Sequence, residues 1–166
     1  MQAVATAHPN VALIKYWGKR ATVGNLPATG SLSLALGGLS TETRVRFEAG
    51  RQGDRVLLDD REDAETSARV TACLDLLRGE AGVTDGAVVE SRNDFPTGAG
   101  LASSASGFAA LVVAAAGALG LKLPPARLAE IARNGSGSAA RSLLGGIVLL
   151  KNVGTGTDCT QLAAPA

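Results

Sequence analysis

Asn93 to Phe108 reads Asn-Asp-Phe-Pro-Thr-Gly-Ala-Gly-Leu-Ala-Ser-Ser-Ala-Ser-Gly-Phe, and the fold prediction starts from these residues. Residues 87–90 before it are mainly apolar and predict a strand, whereas 109–119 contain only Ala, Leu, Val and one Gly and predict a buried helix. Glycine lets the main chain approach a ligand closely, and the first N–H groups of a helix have no partner within that helix. A strand, a Gly/Ser loop and a helix start together predict an anion site, most often for phosphate.

Two simpler interpretations of the Gly/Ser stretch compete with the anion site. A flexible linker is disfavoured because linkers are not usually followed by a helix that is apolar on every side. A loop whose serines merely cap the next helix stays open, since residue spacing alone does not exclude it. The loop contains neither Gly-x-x-x-x-Gly-Lys-Ser/Thr nor Gly-x-Gly-x-x-Gly, so the two common nucleotide fingerprints are absent.

The composition limits the class of protein. The chain has 166 residues, which suits one domain spanning 1–166 with a proper core. Its formal net charge is +1, so the overall electrostatic field gives no indication of nucleic acid or an acidic membrane as a partner. Aromatic residues make up 3% of the chain, which also argues against an RNA surface that stacks bases. Any anion site must therefore rely on local Lys, Arg and backbone N–H groups.

Few side chains are available for metal or thiol chemistry. His8 is the only histidine, which leaves almost no material for a zinc site or a histidine-based triad. Cys73 and Cys159 match no metal spacing, and Cys73 is predicted to be a small buried residue. Residues 1–7 lack the charged start and apolar core of a signal peptide, and the apolar run 108–121 is too short to span a bilayer. A cytoplasmic location is therefore expected by default.

Hydrophobic periodicity and turn residues predict an alternation of strands and helices. The helix predicted at 63–78 is amphipathic and is ended by glycine, and a later helix starts at Pro124-Pro125. That helix is expected to end at Asn134-Gly135 with a left-handed cap, and the tail 153–166 to be a hairpin remnant and a frayed end. The predicted strands cover 2–7, 11–14, 31–36, 41–48, 56–58, 87–91 and 147–152. Those between residues 41 and 58 are expected to be antiparallel.

Two further segments combine cationic side chains with other groups that can bind anions. Residues 15–20, Lys-Tyr-Trp-Gly-Lys-Arg, hold three cations and two aromatics, which fits either a polyanion site or a solvated turn. Residues 135–142, Gly-Ser-Gly-Ser-Ala-Ala-Arg-Ser, form a second Gly/Ser loop in which Ser138 can cap a short helix. Arg141, one turn on, offers a planar fork suited to carboxylate or phosphate, although a structural arginine is the alternative.

Three separated motifs resemble one family. Pro96 to Ala105 resembles the ATP loop Pro-x-x-x-Gly-Leu-x-Ser-Ser-Ala of the GHMP kinase superfamily, which includes galactokinase, homoserine kinase, mevalonate kinase and phosphomevalonate kinase. Residues 10–20, Asn-Val-Ala-Leu-Ile-Lys-Tyr-Trp-Gly-Lys-Arg, and residues 135–142 are similar to signatures of the mevalonate diphosphate decarboxylases within that superfamily. The resemblance covers nearly the whole chain. It implies an α+β fold in which a mainly antiparallel sheet is backed by helices, as in a GHMP-kinase N-terminal domain.

The resemblance also implies a reaction and the residues that take part in it. ATP phosphorylates the 3-hydroxyl of mevalonate 5-diphosphate, with Mg²⁺ bridging phosphates, and loss of phosphate and CO₂ then gives isopentenyl diphosphate. Lys15, Ser104 and Arg141 would be catalytic, with Arg141 on the substrate carboxylate. The residues expected to bind ATP are Pro96, Gly98, Gly100, Leu101, Ser103, Ser104 and Ser106, and those expected to bind the substrate are Asn10, which steadies the arginine, Tyr16, Lys19, Ser136, Ser138 and Arg141.

One departure from the family bears on activity. Family members are about twice this length, and the catalytic Asp that the resemblance implies lies in a C-terminal half that residues 1–166 do not match. The chain is therefore expected to be the N-terminal domain of such an enzyme or a truncated product, with the C-terminal half as its missing partner and a homodimer as a further assembly. Three alternatives stay open: a phosphomevalonate decarboxylase, a mevalonate 3-kinase, and a non-catalytic nucleotide- or anion-binding domain.

Overall fold

The computed structural model describes residues 1–15, 28–97, 100–153 and 156–163. Within these ranges the chain folds into strands and helices that alternate along the sequence. In chain order they are β1 (Gln2–Ala7), β2 (Asn10–Ile14), β3 (Ser31–Ala35), β4 (Thr41–Phe47), β5 (Arg55–Leu58), α1 (Ala64–Ala81), β6 (Ala87–Asn93), α2 (Ser103–Ala118), α3 (Pro125–Gly135), α4 (Ala139–Ser142), β7 (Ile147–Val153) and β8 (Gly156–Ala163).

The strands form two four-stranded sheets. Sheet A has the order β1-β4-β6-β5, and sheet B has the order β2-β3-β7-β8. Neighbouring strands are antiparallel except β5 and β6, which run parallel because the chain returns between them through α1. The predicted α+β class with mainly antiparallel strands is confirmed. The expectations of a single sheet and of antiparallel pairing at 56–58 are wrong.

The main core lies between sheet A and the helices α1 and α2. Side chains along β4 alternate between buried and exposed, so that Val45 and Phe47 face the helices whereas Arg44 and Arg46 face solvent. The inner face of α1 contributes Cys73, Leu74 and Leu77, all 0% exposed. Cys73 is thus the small buried residue that the sequence predicts, and burial raises the pKa of its thiol to about 11. Most residues of α2 are Ala, Gly or Ser, which lets this helix pack closely against β1 and β4.

The helices begin and end at positions that differ from the prediction. The Asp63 carboxylate accepts the Thr66 N–H at 2.7 Å and caps α1, and this hydrogen bond lowers the pKa of Asp63. α1 then runs three residues past Arg78 to a left-handed Gly82 with φ 67°. α2 begins at Ser103, six residues earlier than predicted. Its serines therefore belong to the first turn of the helix rather than to the preceding loop.

A buried ion pair joins β5, α1 and β6. The Asp54 carboxylate, 1% exposed, accepts hydrogen bonds from Arg78 Nη1 and Nη2 at 2.9 and 2.8 Å. It also accepts the Ala87 N–H at 2.8 Å and the Thr71 hydroxyl at 2.9 Å. Because these four hydrogen bonds end on one carboxylate, they hold together the residue before β5, the helix α1 and the start of β6.

The end of the chain completes sheet B. β8 pairs with β7 from Gly156 to Ala163, so the tail supplies a full strand of a hairpin rather than a remnant, contrary to the prediction. The short helix α4 follows Ser138, which occupies the predicted N-cap position but makes no capping hydrogen bond with its side chain. Among the described helices, none combines the length and apolar character that crossing a membrane requires.

Candidate active site

Loop 1, residues 96–102, has a left-handed backbone on both sides of Leu101. Gly100 has φ 78° and Ala102 has φ 56°, and the second value is uncommon for a residue with a Cβ. Ala102 is also the N-cap residue of α2, and no side chain caps this end of the helix. The first N–H groups of α2 therefore lack the capping oxygen that a serine would supply. The alternative in which the serines merely cap the helix is wrong.

The three serines in the first turn of α2 have different surroundings. Ser104 is exposed and Ser103 is half-buried, whereas Ser106 is fully buried. Ser106 Oγ lies 2.6 Å from Thr41 Oγ1 on β4. The Ser106 hydroxyl thus faces sheet A, and its position argues against the predicted contact between that side chain and ATP. The roles predicted for Ser103 and Ser104 stay predictions, and both side chains border an open cavity.

Cavity 1, with a volume of 220 Å³, lies beside the start of α2. Its lining is mainly apolar, including Val56, Val89 and Phe108, and it also includes Ser103 and Ser104. The lining residues come from β4, β5, β6, α1 and α2, and Thr97 of loop 1 lines the cavity as well. No motif could reveal this cavity in the sequence, because residues from five elements meet there only after folding.

Arg69 of α1 also lines cavity 1 and was missed by the sequence analysis. Its guanidinium carbon lies 5.5 Å from the centre of the Phe108 ring. Arg69 Nη1 donates to the Gly135 carbonyl at 3.5 Å, and Nε is buried with no hydrogen-bond partner among the described residues. Arg69 therefore connects cavity 1 to the second Gly/Ser loop. Nothing in its sequence context distinguishes it from other arginines on an amphipathic helix.

Loop 2, residues 136–138, packs against the start of α2 because Gly135 has no side chain. A Cβ on Gly135 would lie 2.0 Å from Phe108 Cδ1. Gly135 is the last residue of α3 and has no left-handed φ, so the predicted left-handed cap is wrong. This close approach brings Ser136 Oγ within 3.3 Å of Ser104 Oγ and within 3.3 Å of Ser138 Oγ. Loop 2 is therefore in direct contact with the first turn of α2.

Cavity 2, with a volume of 450 Å³, borders Gly100 and Ala102 of loop 1. It is also lined by Asn10, Lys15, Ser138 and Arg141, which the sequence analysis assigned to the site. These residues come from both ends of the chain and from three separate motifs. The structure thus brings the described parts of all three motifs to one space.

Arg141 is held in a fixed position. It is 4% exposed, its Nε donates to Asn10 Oδ1 at 3.3 Å, and its Nη1 donates to Ser31 Oγ at 2.9 Å. Asn10 Nδ2 donates in turn to Ser142 Oγ at 2.7 Å and to the Ser138 carbonyl at 3.2 Å. The contact expected between Asn10 and Arg141 is present. Ser31 and Ser142 were not predicted as site residues, although Ser31 lies in the alternating polar pattern of β3 and Ser142 closes the motif at 135–142.

The remaining predicted site residues fall into two groups, those outside the described residues and those at exposed positions. Tyr16, Lys19 and Gly98 lie outside the described residues. Lys15 is exposed and lines cavity 2, whereas Pro96 is exposed and lines neither cavity. The binding and catalytic roles of all these residues stay predictions.

The described part of the site is cationic. Neither cavity is lined by an Asp or Glu among the described residues, and no cluster of His, Cys, Asp and Glu there could hold a metal ion. Burial raises the pKa of the Cys159 thiol to about 11, so this side chain, which also senses the charge of Arg141, is neutral at physiological pH. Lys15 and Arg141 therefore give cavity 2 a charge that suits an anion.

A family model described as the diphosphomevalonate decarboxylase-like N-terminal domain matches residues 7–161. The chain belongs to this family. The matched range of this decarboxylase-like domain contains loop 1, loop 2 and the residues that line both cavities. The resemblance stated from the three motifs is therefore confirmed.

Curated relatives of the decarboxylase-like domain are longer than the present chain. The diphosphomevalonate decarboxylase of Aspergillus fumigatus is 43% identical over 163 residues, which cover 89% of this chain and 40% of the relative. The phosphomevalonate decarboxylase of Haloferax volcanii is 37% identical over 160 residues, covering 96% of this chain and 49% of the relative. The chain thus spans half or less of the length of these relatives.

Solved structures share both the fold and the partial coverage. The mevalonate diphosphate decarboxylase from Enterococcus faecalis matches with a TM-score of 0.88 and 43% identity, over 98% of this chain and 52% of its own. A structure of MDDEF in complex with MVAPP, AMPPCP and magnesium matches with a TM-score of 0.87 and 42% identity, over 98% of this chain and 51% of its own. These matches confirm that the fold is that of the decarboxylases.

Proposed function

We propose that this domain supplies the nucleotide- and substrate-binding surfaces for ATP-dependent decarboxylation of mevalonate 5-diphosphate to isopentenyl diphosphate. Cavity 2 carries the proposal, because Gly100 and Ala102 of loop 1 border the same space as Lys15 and Arg141. Phosphoryl transfer depends on positioning and on neutralising charge more than on a protein nucleophile. A glycine-containing loop, a lysine and a fixed guanidinium around one space meet both requirements.

The residues of loop 1 and cavity 1 fit ATP. The left-handed Gly100 and the uncapped start of α2 suit a phosphate group, and the mainly apolar cavity of 220 Å³ suits a base. Bound ATP supplies the phosphoryl group that is transferred. Ser103 and Ser104 would donate hydrogen bonds to its phosphates, and Arg69 would limit the far side of the base site.

Magnesium would be held mainly by phosphate oxygens. Mg²⁺ usually binds one or two carboxylates together with substrate phosphates and keeps several waters. No Asp or Glu among the described residues lines either cavity, so this part of the chain contributes no evident carboxylate ligand. The MDDEF complex, which contains both AMPPCP and magnesium, supports this pairing of nucleotide and metal.

Arg141 is the residue best placed to bind the substrate carboxylate. A guanidinium forms two parallel hydrogen bonds to a carboxylate, and Asn10 and Ser31 already hold this one in place. A donor that is positioned before the reaction costs no reorganisation when charge develops. Lys15 would neutralise charge near the reacting phosphates. Ser136 and Ser138, together with the predicted Tyr16 and Lys19, would hold the substrate diphosphate.

A phosphomevalonate decarboxylase is the second candidate. The Haloferax volcanii relative carries that name and shares 37% identity with this chain. The two candidates differ by one phosphate on the substrate, and residues 16–27, which include the predicted diphosphate ligands, lie outside the described residues. A direct comparison of the two substrates therefore decides between them. A mevalonate 3-kinase or a non-catalytic anion-binding domain has no comparable observation in its favour.

The test combines binding with turnover. Titration calorimetry of the chain with mevalonate diphosphate, with mevalonate monophosphate and with an ATP analogue measures the three affinities. Arg141→Lys keeps the charge but loses the two-pronged contact, so substrate affinity should fall by about tenfold or more while nucleotide affinity stays unchanged. Arg44→Lys, on the exposed face of β4, is the matched control and should change neither affinity. Turnover is measured as phosphate and CO₂ release by a fusion of residues 1–163 with the second half of the Enterococcus faecalis relative.

Three results would count against the proposal. Equal substrate affinity in the Arg141→Lys and Arg44→Lys variants would make Arg141 structural. Tighter binding and faster turnover of the monophosphate would favour the second candidate. Phosphate release without CO₂ release would favour the 3-kinase.

Two further expectations remain proposals. Sedimentation velocity of the purified chain tests the expected homodimer. A cytoplasmic location is tested by imaging a tagged chain in its own cell. Neither expectation bears on the geometry of cavity 2.

A further inference from the structure

A continuous chain of hydrogen bonds runs from the first turn of α2 to the turn after β5. Ser106 Oγ lies 2.6 Å from Thr41 Oγ1, which donates to Asn93 Oδ1 at 2.5 Å. Asn93 Nδ2 donates to Thr97 Oγ1 at 2.6 Å, and Thr97 Oγ1 donates to Asp59 Oδ2 at 2.5 Å. The other carboxylate oxygen, Asp59 Oδ1, accepts the Asn93 N–H at 3.1 Å. Five side chains from five parts of the fold are therefore linked: α2, β4, β6, loop 1 and the turn after β5.

The carboxylate fixes the direction of the bonds between Thr41 and Asp59. An ionised carboxylate only accepts, so Thr97 must donate to Asp59 and can only accept from Asn93. The amide of Asn93 therefore points its Nδ2 at Thr97 and its Oδ1 at Thr41. Thr41 donates its single proton to that oxygen, so three successive donors point towards Asp59. The Ser106 hydroxyl, which lies beside Thr41, also donates to the Ser103 carbonyl at 3.1 Å.

The same chain holds loop 1 at both ends. Thr97 lies in the first part of loop 1, and Ser106 lies in the first turn of α2 just after it. Thr41 and Asn93 are directly opposite each other on β4 and β6 of sheet A, so they form a rigid base for both attachments. Thr97 on one side of Gly100 and Ser106 on the other are therefore both attached to sheet A.

The turn that carries Asp59 is itself strained. Asp59 has φ 48° and Asp60 has φ 63°, both in the left-handed region, where glycine and asparagine fit better than aspartate. The Asp59 N–H donates to the Ser91 carbonyl at 2.9 Å, which attaches the turn to β6. Asp60 points away and pairs with Arg92, and the two side chains are 75% and 71% exposed. Asp59 and Asp60 thus share a left-handed backbone conformation, but their carboxylates have different partners.

We propose that Asp59 is a positioning residue for loop 1. Its carboxylate terminates the hydrogen-bond chain and orders the loop, and through that order it sets the affinity for the phosphate groups of a nucleotide. The effect on affinity rests on the proposed function of loop 1, whereas the effect on loop order does not. Asp59 lines neither cavity, so its proposed effect runs through Thr97 and Asn93.

The test compares Asp59→Gly with Asp60→Gly in the full chain. Both variants remove a carboxylate from a left-handed position that glycine tolerates, so both should unfold at similar temperatures to the parent. Hydrogen–deuterium exchange without ligand, read on peptides covering 94–105, should quicken by about threefold to tenfold only in Asp59→Gly, the factor expected for one or two net hydrogen bonds. Calorimetric titration with an ATP analogue and Mg²⁺ should show a similar loss of affinity in that variant alone. Thr97→Val, which removes the hydroxyl link but keeps Asp59, should reproduce the faster exchange.

Each outcome decides the proposal. Unchanged exchange of residues 94–105 in Asp59→Gly overturns it, as does equal acceleration in Asp60→Gly. Faster exchange with unchanged nucleotide affinity overturns the link between loop order and binding. A parent chain that binds no nucleotide would contradict the proposed function of loop 1, and the exchange comparison would still decide whether Asp59 positions the loop.

Discussion

Replacing Gly135 with alanine is expected to push loop 2 away from α2. The added Cβ would lie 2.0 Å from Phe108 Cδ1, 2.2 Å from Cε1 and 2.6 Å from Cγ. Phe108 is 4% exposed, and the guanidinium of Arg69 lies over its ring, so the ring has little room to move. The backbone of Gly135 is helical, so alanine can adopt it without strain. Any loss of stability in Gly135→Ala therefore comes from the clash with the Phe108 ring.

The size of the effect follows from these contacts. Overpacking a filled core costs about 1–3 kcal/mol of unfolding free energy, and three short contacts to one buried ring place Gly135→Ala near the top of that range. Alanine in place of glycine within a helix gains about 0.5–1 kcal/mol, which offsets part of the cost. The net loss is therefore expected to be about 2 kcal/mol. The same displacement should separate Ser136 from Ser104 and weaken nucleotide binding.

Urea unfolding followed by circular dichroism measures this loss. Gly79→Ala is the matched control, because Gly79 lies within α1 and an added Cβ would meet nothing within 4 Å. That control should gain about 0.5–1 kcal/mol. Phe108→Ala should cost about 3–5 kcal/mol alone, and it removes all three ring atoms that oppose the new Cβ. Adding Gly135→Ala to Phe108→Ala should then cost nothing further.

The reasoning fails if the double variant is not rescued. A cost of Gly135→Ala that persists without the Phe108 ring would show that something other than the close approach requires glycine. A gain in stability as large as that of Gly79→Ala would show that the ring moves aside freely.

Two further predictions concern stability. Asp54→Asn should lower the unfolding free energy by about 3 kcal/mol, because it leaves the nearly buried Arg78 without its main partner. Asp75→Asn, at the exposed end of the same cluster, should cost under about 1 kcal/mol. Equal costs for the two variants would contradict the argument from burial. Burial raises the pKa of Cys73 and Cys159 from 9.0 to about 11, so their contribution to stability is complete below pH 9 and is lost as the pH rises through about 11. Unfolding measured at pH 8 and pH 10.5 should show this decline, a Cys73→Ala/Cys159→Ala variant should show less of it, and identical pH profiles would refute it.

Local patterns predicted most elements of the fold. The alternation along 41–48 became β4, and the apolar positions of 63–78 became the buried face of α1. The parallel pairing of β5 with β6 was missed because it depends on the crossover through α1, which four residues of strand cannot reveal. The helical conformation of Gly135 was missed for a similar reason. The identity of the residue suggested a left-handed cap, whereas a ring from another helix, Phe108, decides why glycine is there.

The site was predicted as far as its motifs extend. Asn10, Lys15, Ser138 and Arg141 line one cavity, as their three motifs suggested. Two residues that hold the site in place were missed, because Arg69 and Asp59 lie outside any motif and act through contacts between distant segments. Ser106 shows the opposite error. Its place in the Gly/Ser stretch suggested a phosphate contact, whereas the helical period turns its hydroxyl towards Thr41.

Loop 1 forms a wall shared by the two cavities. Gly100 and Ala102 border cavity 2, and Ser103 and Ser104, which follow at once, border cavity 1. A group that binds in one cavity and shifts this short segment must therefore change the shape of the other. Because such coupling is reciprocal, a substrate that raises the affinity for the nucleotide is itself bound more tightly, by the same factor, when the nucleotide is present. If the proposed binding is right, the tethers at Thr97 and Ser106 should limit how far the segment can move, and their removal should change that coupling as well as the affinity for either ligand alone.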